Sequence, residues 1–98
     1  MPTPVEVSRI QKDRDRIVRL GGIWRDRPWS MSERNVIREI GLSDRERHWD
    51  FFVMLDGKAA TVLVRSENGR KHLTVGGERA ALLTLPTADL TASGDDLD

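Results

Sequence analysis

Two dipeptides, Asp56-Gly57 and Asn68-Gly69, punctuate the run from His48 to Pro86 and constrain the fold more than any other feature of the chain. A two-residue type I′ hairpin needs positive φ at both central positions, which aspartate, asparagine and glycine tolerate best. The run therefore reads as strand, turn, strand, turn, strand, followed by an apolar closing segment, Leu82-Leu83-Thr84-Leu85-Pro86. Trp49, Phe51, Val53 and Leu55 share one face of the first of these strands, and His48, Asp50, Phe52 and Met54 the other. The second strand, Lys58 to Glu67, sets Ala60, Val62 and Val64 against Ala59, Thr61 and Leu63; the third is Arg70 to Val75. Phe52 and Leu63 make both faces partly apolar. A helix is expected to cover one face, and the closing segment or an N-terminal hairpin the other.

The N-terminal half supplies that hairpin and that helix. Val5 to Lys12 alternates, with Val5 and Val7 on one phase and Ile10 on the other, so a bulge is expected between them. A turn at Asp13-Arg14-Asp15 leads into Arg16-Ile17-Val18-Arg19-Leu20, which ends at Gly21-Gly22. Ile23 to Trp29 holds Asp26 and Pro28, shows no sustained period and reads as a loop. Ser30-Met31-Ser32-Glu33 fits a capping box with Ser30 as N-cap. The helix then runs from Met31 to Ile40 with Val36, Ile37 and Ile40 in one stripe, and Gly41 closes it as a left-handed residue. The expected class is α+β: an antiparallel sheet of about five strands, an N-terminal hairpin plus a three-strand meander, with one helix packed on a face.

Ninety-eight residues suit one hydrophobic core, expected over residues 1–87. All 16 basic residues and 12 of the 16 acidic ones lie there, whereas Ala88 to Asp98 holds four aspartates and no base. That small, polar, acidic stretch is expected to be a disordered tail. No apolar run approaches the roughly 20 residues of a membrane span, and no membrane association is expected. The N-terminus has no signal-peptide pattern and the chain has no cysteine, so the expected location is cytoplasmic, with no disulfide or thiolate metal site.

The order of these pieces resembles a set of small, mostly bacterial domains of unknown function. Their pattern runs R-I-x-x-hydrophobic-G-G, a tryptophan before a helix, an aromatic-rich strand, N-G-x-K-x-L-x-T and L-L-x-L-P. Here it is matched by Arg16 to Gly22, Trp29, Phe51-Phe52-Val53, Asn68 to Thr74 and Leu82 to Pro86. The chain departs from it at His72, where tyrosine is common, and in the arginine-rich stretch from Trp24 to Pro28. The resemblance covers roughly Val5 to Pro86; it implies a compact α+β fold and carries no activity.

The residues offer no reaction centre, so the expected function is that of a non-enzymatic protein-binding or accessory module without a cofactor. The two histidines, His48 and His72, fall on different strands of the meander with another between them. Gly21-Gly22 and Gly76-Gly77 fall short of phosphate-loop patterns and read as bends at strand ends. Asp13/Asp15 and Asp95/Asp96 sit in an expected turn and tail, which supply neither burial nor close like charge to shift a pKa. Recognition remains. Ile23 to Trp29 gathers two tryptophans with Arg25 and Arg27, the residue types most enriched in binding hot spots. Trp29 is expected to plug the core beside the helix; Trp24 is read either as a cap on a sheet edge or as a recognition surface. The partner expected is a protein. The alternative is a weak nucleic-acid surface, with phosphates held by Arg14, Arg16 and Arg19 and a base stacked on Trp24. Interleaved aspartates and a pI near 6.7 oppose that alternative.

Overall fold

The computed structural model describes residues 2–14, 16–75 and 80–90. Its elements are β1 (Thr3–Glu6), β2 (Arg9–Asp13), β3 (Arg16–Trp24), β4 (Arg27–Ser32), α1 (Glu33–Ile40), β5 (Trp49–Leu55), β6 (Lys58–Glu67), β7 (Arg70–Val75) and α2 (Ala80–Leu83). The class is α+β, but the strands divide between two sheets. One is four-stranded in the order β1-β5-β6-β7, and the other three-stranded in the order β2-β3-β4.

The division begins at the phase break noted after Val7. The amide of Val7 donates to Phe52 O at 2.8 Å, and that of Ser8 to Gly21 O at 2.9 Å, so adjacent residues serve different sheets. What the alternation suggested as one bulged strand is two, and the switch lets Val5, Val7 and Ile10 all point into the core. β1 pairs in parallel with β5, from Thr3 opposite Trp49 to Glu6 opposite Phe52. A bulge does occur, one strand later. Gln11 faces Arg19 but Lys12 faces Ile17, which leaves Val18 as the extra residue and turns both Ile17 and Leu20 inward.

β3 does not stop at the glycines. It continues to Trp24 and returns as β4, so the expected loop from Ile23 to Trp29 is a hairpin whose turn is Arg25-Asp26. Both turn residues have positive φ, 50° and 64°. Pro28 is accommodated because β4 is an edge strand. Gly21-Gly22, expected as a bend, lies in the middle of β3. A Cβ on Gly22 would stand 2.6 Å from Glu6 O, and one on Gly21 2.7 Å from Trp29 O, so bare backbone is needed for the strands to close.

The helix starts two residues later than the capping-box pattern implies. Ser32 is the N-cap and accepts from the Asn35 amide at 3.2 Å. Ser30 belongs to β4 and is fully buried: Arg19 donates to its hydroxyl at 2.9 Å, and the hydroxyl donates to Leu90 O at 3.0 Å. Gly41 ends the helix with φ −74°, a right-handed residue rather than the expected left-handed one, its amide bonding to Ile37 O at 3.1 Å. α1 lies against β3 and β4 and also touches β5, β6 and β7. Val36 is buried, with Ile37 and Ile40 packed beside it. The helix therefore fills the space between two sheets instead of covering one face of a single sheet.

The meander forms as its turns dictate. Asp56-Gly57 and Asn68-Gly69 have positive φ at both residues and join strands in two-residue loops. Phe51, Val53, Val62 and Leu73 are buried on the inner face. The outer face stays open: Met54 and Leu63 are nearly half exposed. The closing segment covers something else. α2 packs beside β7, and Thr87 forms a parallel bridge to Ile10 along the free edge of β2. Leu90 then inserts over Gly21 and is only 5% exposed, its amide donating to Gln11 Oε1 at 2.9 Å. The boundary expected after Thr87 is thus too early, because Ala88 to Leu90 complete the second sheet. Gly76-Gly77 and the aspartates from position 95 onward lie outside the described residues. Among those described, no helix is long and apolar enough to cross a membrane.

Candidate interaction surfaces

The hairpin of β3 and β4 carries the aromatic and arginine-rich segment to one end of the molecule. Trp24 is half-buried, and its ring meets Trp49 edge-on with centroids 4.9 Å apart and planes at 81°. The Arg25 guanidinium lies over the other side of Trp24, 4.5 Å from the ring centroid. A T-shaped ring pair contributes about 0.5–1.5 kcal/mol beyond burial, and a partly exposed cation–π contact about 0.5–1 kcal/mol. Trp24 is therefore a braced ring, neither a free surface residue nor a core plug. Trp29 is the core plug, 2% exposed and tilted against Phe51. On the opposite face of the hairpin, Ile23 pairs with Pro28; Ile23 is 49% exposed, and Pro28, Arg25 and Arg27 are exposed as well.

The arginines read from the first hairpin go elsewhere. β3 is nine residues long, and at about 3.3 Å per residue its ends are over 20 Å apart. Arg16 begins it and Trp24 ends it. The phosphate contacts and the stacking ring that one nucleic-acid surface would combine thus sit at opposite ends of the protein. Arg19 is drawn inward and binds Ser30, so it belongs to the structure of the sheet.

Arg14 and Arg16 instead join a cleft that no local pattern announces. Its walls are the β2–β3 hairpin end, with Asp13, Arg14 and Arg16, and β7, with Arg70, Lys71 and His72; Glu33 and Leu83 complete it. The volume is about 960 Å³. Asp15, next to Arg14 in sequence, lies outside the described residues. The two walls come from different sheets, so the cations meet only because the sheets fold against one another. No hydrogen bond or ion pair engages Arg14, Arg16, Arg70 or Lys71, whereas His72 Nε2 stands 3.8 Å from Glu67 Oε2.

No family model matches the sequence, and neither a curated protein nor a solved structure matches it.

Proposed function

We propose that this protein is a small, non-enzymatic binding module that engages a protein partner through the tip of the β3–β4 hairpin. The observation that carries the reading is the composition of that tip. Two of the hairpin turns use Asp-Gly and Asn-Gly, the residues suited to positive φ. The third holds arginine and aspartate in the same left-handed region, where a residue with a Cβ costs about 1 kcal/mol or more. Strain of this kind is kept where the side chains are needed, and here the strained Arg25 is stacked on a tryptophan that is itself braced by Trp49. A rigid aromatic and a pre-oriented guanidinium lose little entropy on binding. Ile23 and Pro28 on the reverse face add an apolar contact. A small bacterial cytoplasmic domain fits this reading, as the sequence pattern implies.

Stability and binding can be driven in opposite directions to test it. The double variant Arg25→Asn with Asp26→Gly installs the favoured turn dipeptide. It should raise the melting temperature by several degrees, the response to about 1 kcal/mol in a domain of this size. In pull-downs from the source cells, the same variant and Ile23→Ser should each lose the protein that the wild type captures. Capture of that protein undiminished by both variants would refute the reading.

A further inference from the structure

The cleft at the far end of the molecule has a chemistry of its own, independent of the hairpin tip. Four permanent cations, Arg14, Arg16, Arg70 and Lys71, line it together with His72, against two carboxylates, Asp13 and Glu33. Like charges gathered in one concavity repel each other, and the repulsion is relieved when an anion occupies the space. Three of the four are arginines, whose planar forks match the geometry of phosphate oxygens in pairs. They approach from two walls, so the ligand they suit has charge along its length. No aromatic ring lines the cleft, which leaves nothing to stack on a nucleobase. The volume, about 960 Å³, falls at the upper end of the range of small-ligand sites.

From this we infer that the cleft between the β2–β3 hairpin end and β7 is a binding site for a linear polyphosphate group, read by charge and not by any base attached to it. Arg16 and Arg70 grip the phosphate chain from opposite walls. Arg14 and Lys71 neutralise its remaining charge, and Leu83 forms an apolar boundary at the side. Free polyphosphates and nucleoside triphosphates share this group, and the site does not distinguish between them.

Calorimetric titration at low ionic strength tests the assignment with inorganic tripolyphosphate, ATP, octaglutamate and a short single-stranded DNA as probes. Tripolyphosphate and ATP should bind with affinities within about threefold of each other and weaken together as salt is added. Arg16→Ala combined with Arg70→Ala should lower both affinities at least about tenfold, the loss expected when charge-assisted contacts are removed. The corresponding double lysine variant should recover part of the loss, since it restores charge without the fork. Arg27→Ala, at the other end of the protein, should change nothing. All three variants alter exposed side chains, and circular dichroism should show unchanged folding. No binding of tripolyphosphate at millimolar concentration, or binding indifferent to the Arg16/Arg70 change, would overturn the assignment. So would octaglutamate or the DNA binding as tightly as tripolyphosphate: the first would make the site a reader of acidic peptides, the second a nucleic-acid surface.

Discussion

Glycine acts in this protein through two different physical effects, and substitution separates them. At Gly57, φ is +79° and no atom lies within 4 Å of a would-be Cβ. Gly57→Val therefore meets only a conformational penalty, on the order of 1 kcal/mol or more. At Gly22 the obstacle is Glu6 O at 2.6 Å, a backbone atom of the neighbouring segment that cannot step aside alone. Even Gly22→Ala should cost about 2–3 kcal/mol, the range of overpacked cores. Denaturant midpoints of the two variants measure the contrast, and Gly22→Ala should fall further although it adds the smaller group. The first effect was legible in the sequence, because Asp-Gly between alternating strands names its own turn. The second was not. Gly21-Gly22 reads as a bend until the chain that crosses it, five positions from the N-terminal end of β1's pairing partner in neither sequence direction, is known to be Glu6 and Trp29.

Between elements, competition decided what local patterns left ambiguous. Ser30 and Ser32 both precede the helix, and Ser30 has the better spacing to Glu33. The sheet takes Ser30, since Arg19 and Leu90 supply its partners, and the helix is left with Ser32. Arg25-Asp26 is a hairpin turn without asparagine or glycine, and Pro28 beside it argues for a loop. The pairing of Trp24 with Arg27 forms because β3 offers a continuous edge on which β4 can lie. The C-terminal segment was misjudged for a related reason. Composition averages over the acidic stretch, but a single residue in it, Leu90, finds a slot opened by Gly21. Leu90→Ala should cost about 2 kcal/mol, and truncation after Thr87 more, because the hydrogen bonds to Gln11 and Ser30 go with it. Thermal melting checks both; a truncated protein melting with the full chain would mean that Leu90 adds no stability.

At the scale of the whole molecule, the first strand ties the two sheets together. β1 closes the edge of the four-stranded sheet, buries Val5, and within two residues becomes the second sheet's β2. Deleting residues 2–6 should therefore abolish cooperative melting instead of trimming a loose end. A retained transition within a few degrees of the full chain would show that the sheets hold without it. The strand also sets the kind of folding reaction to expect, because its partner lies more than 40 residues away, opposite Trp49 to Phe52, and such pairings are slow to close. The sequence alone determined the type I′ turns, the inward phase of the meander, the apolar stripe of the helix and the burial of Trp29. Each depends on a residue's own backbone preference or on a short period that nearby residues repeat. Only the tertiary structure decided the second sheet, the bracing of Trp24 by Trp49, the docking of Leu90 and the cleft shared by Arg16 and Arg70. Those arise between residues distant in the chain, where packing geometry and not local preference selects the partner.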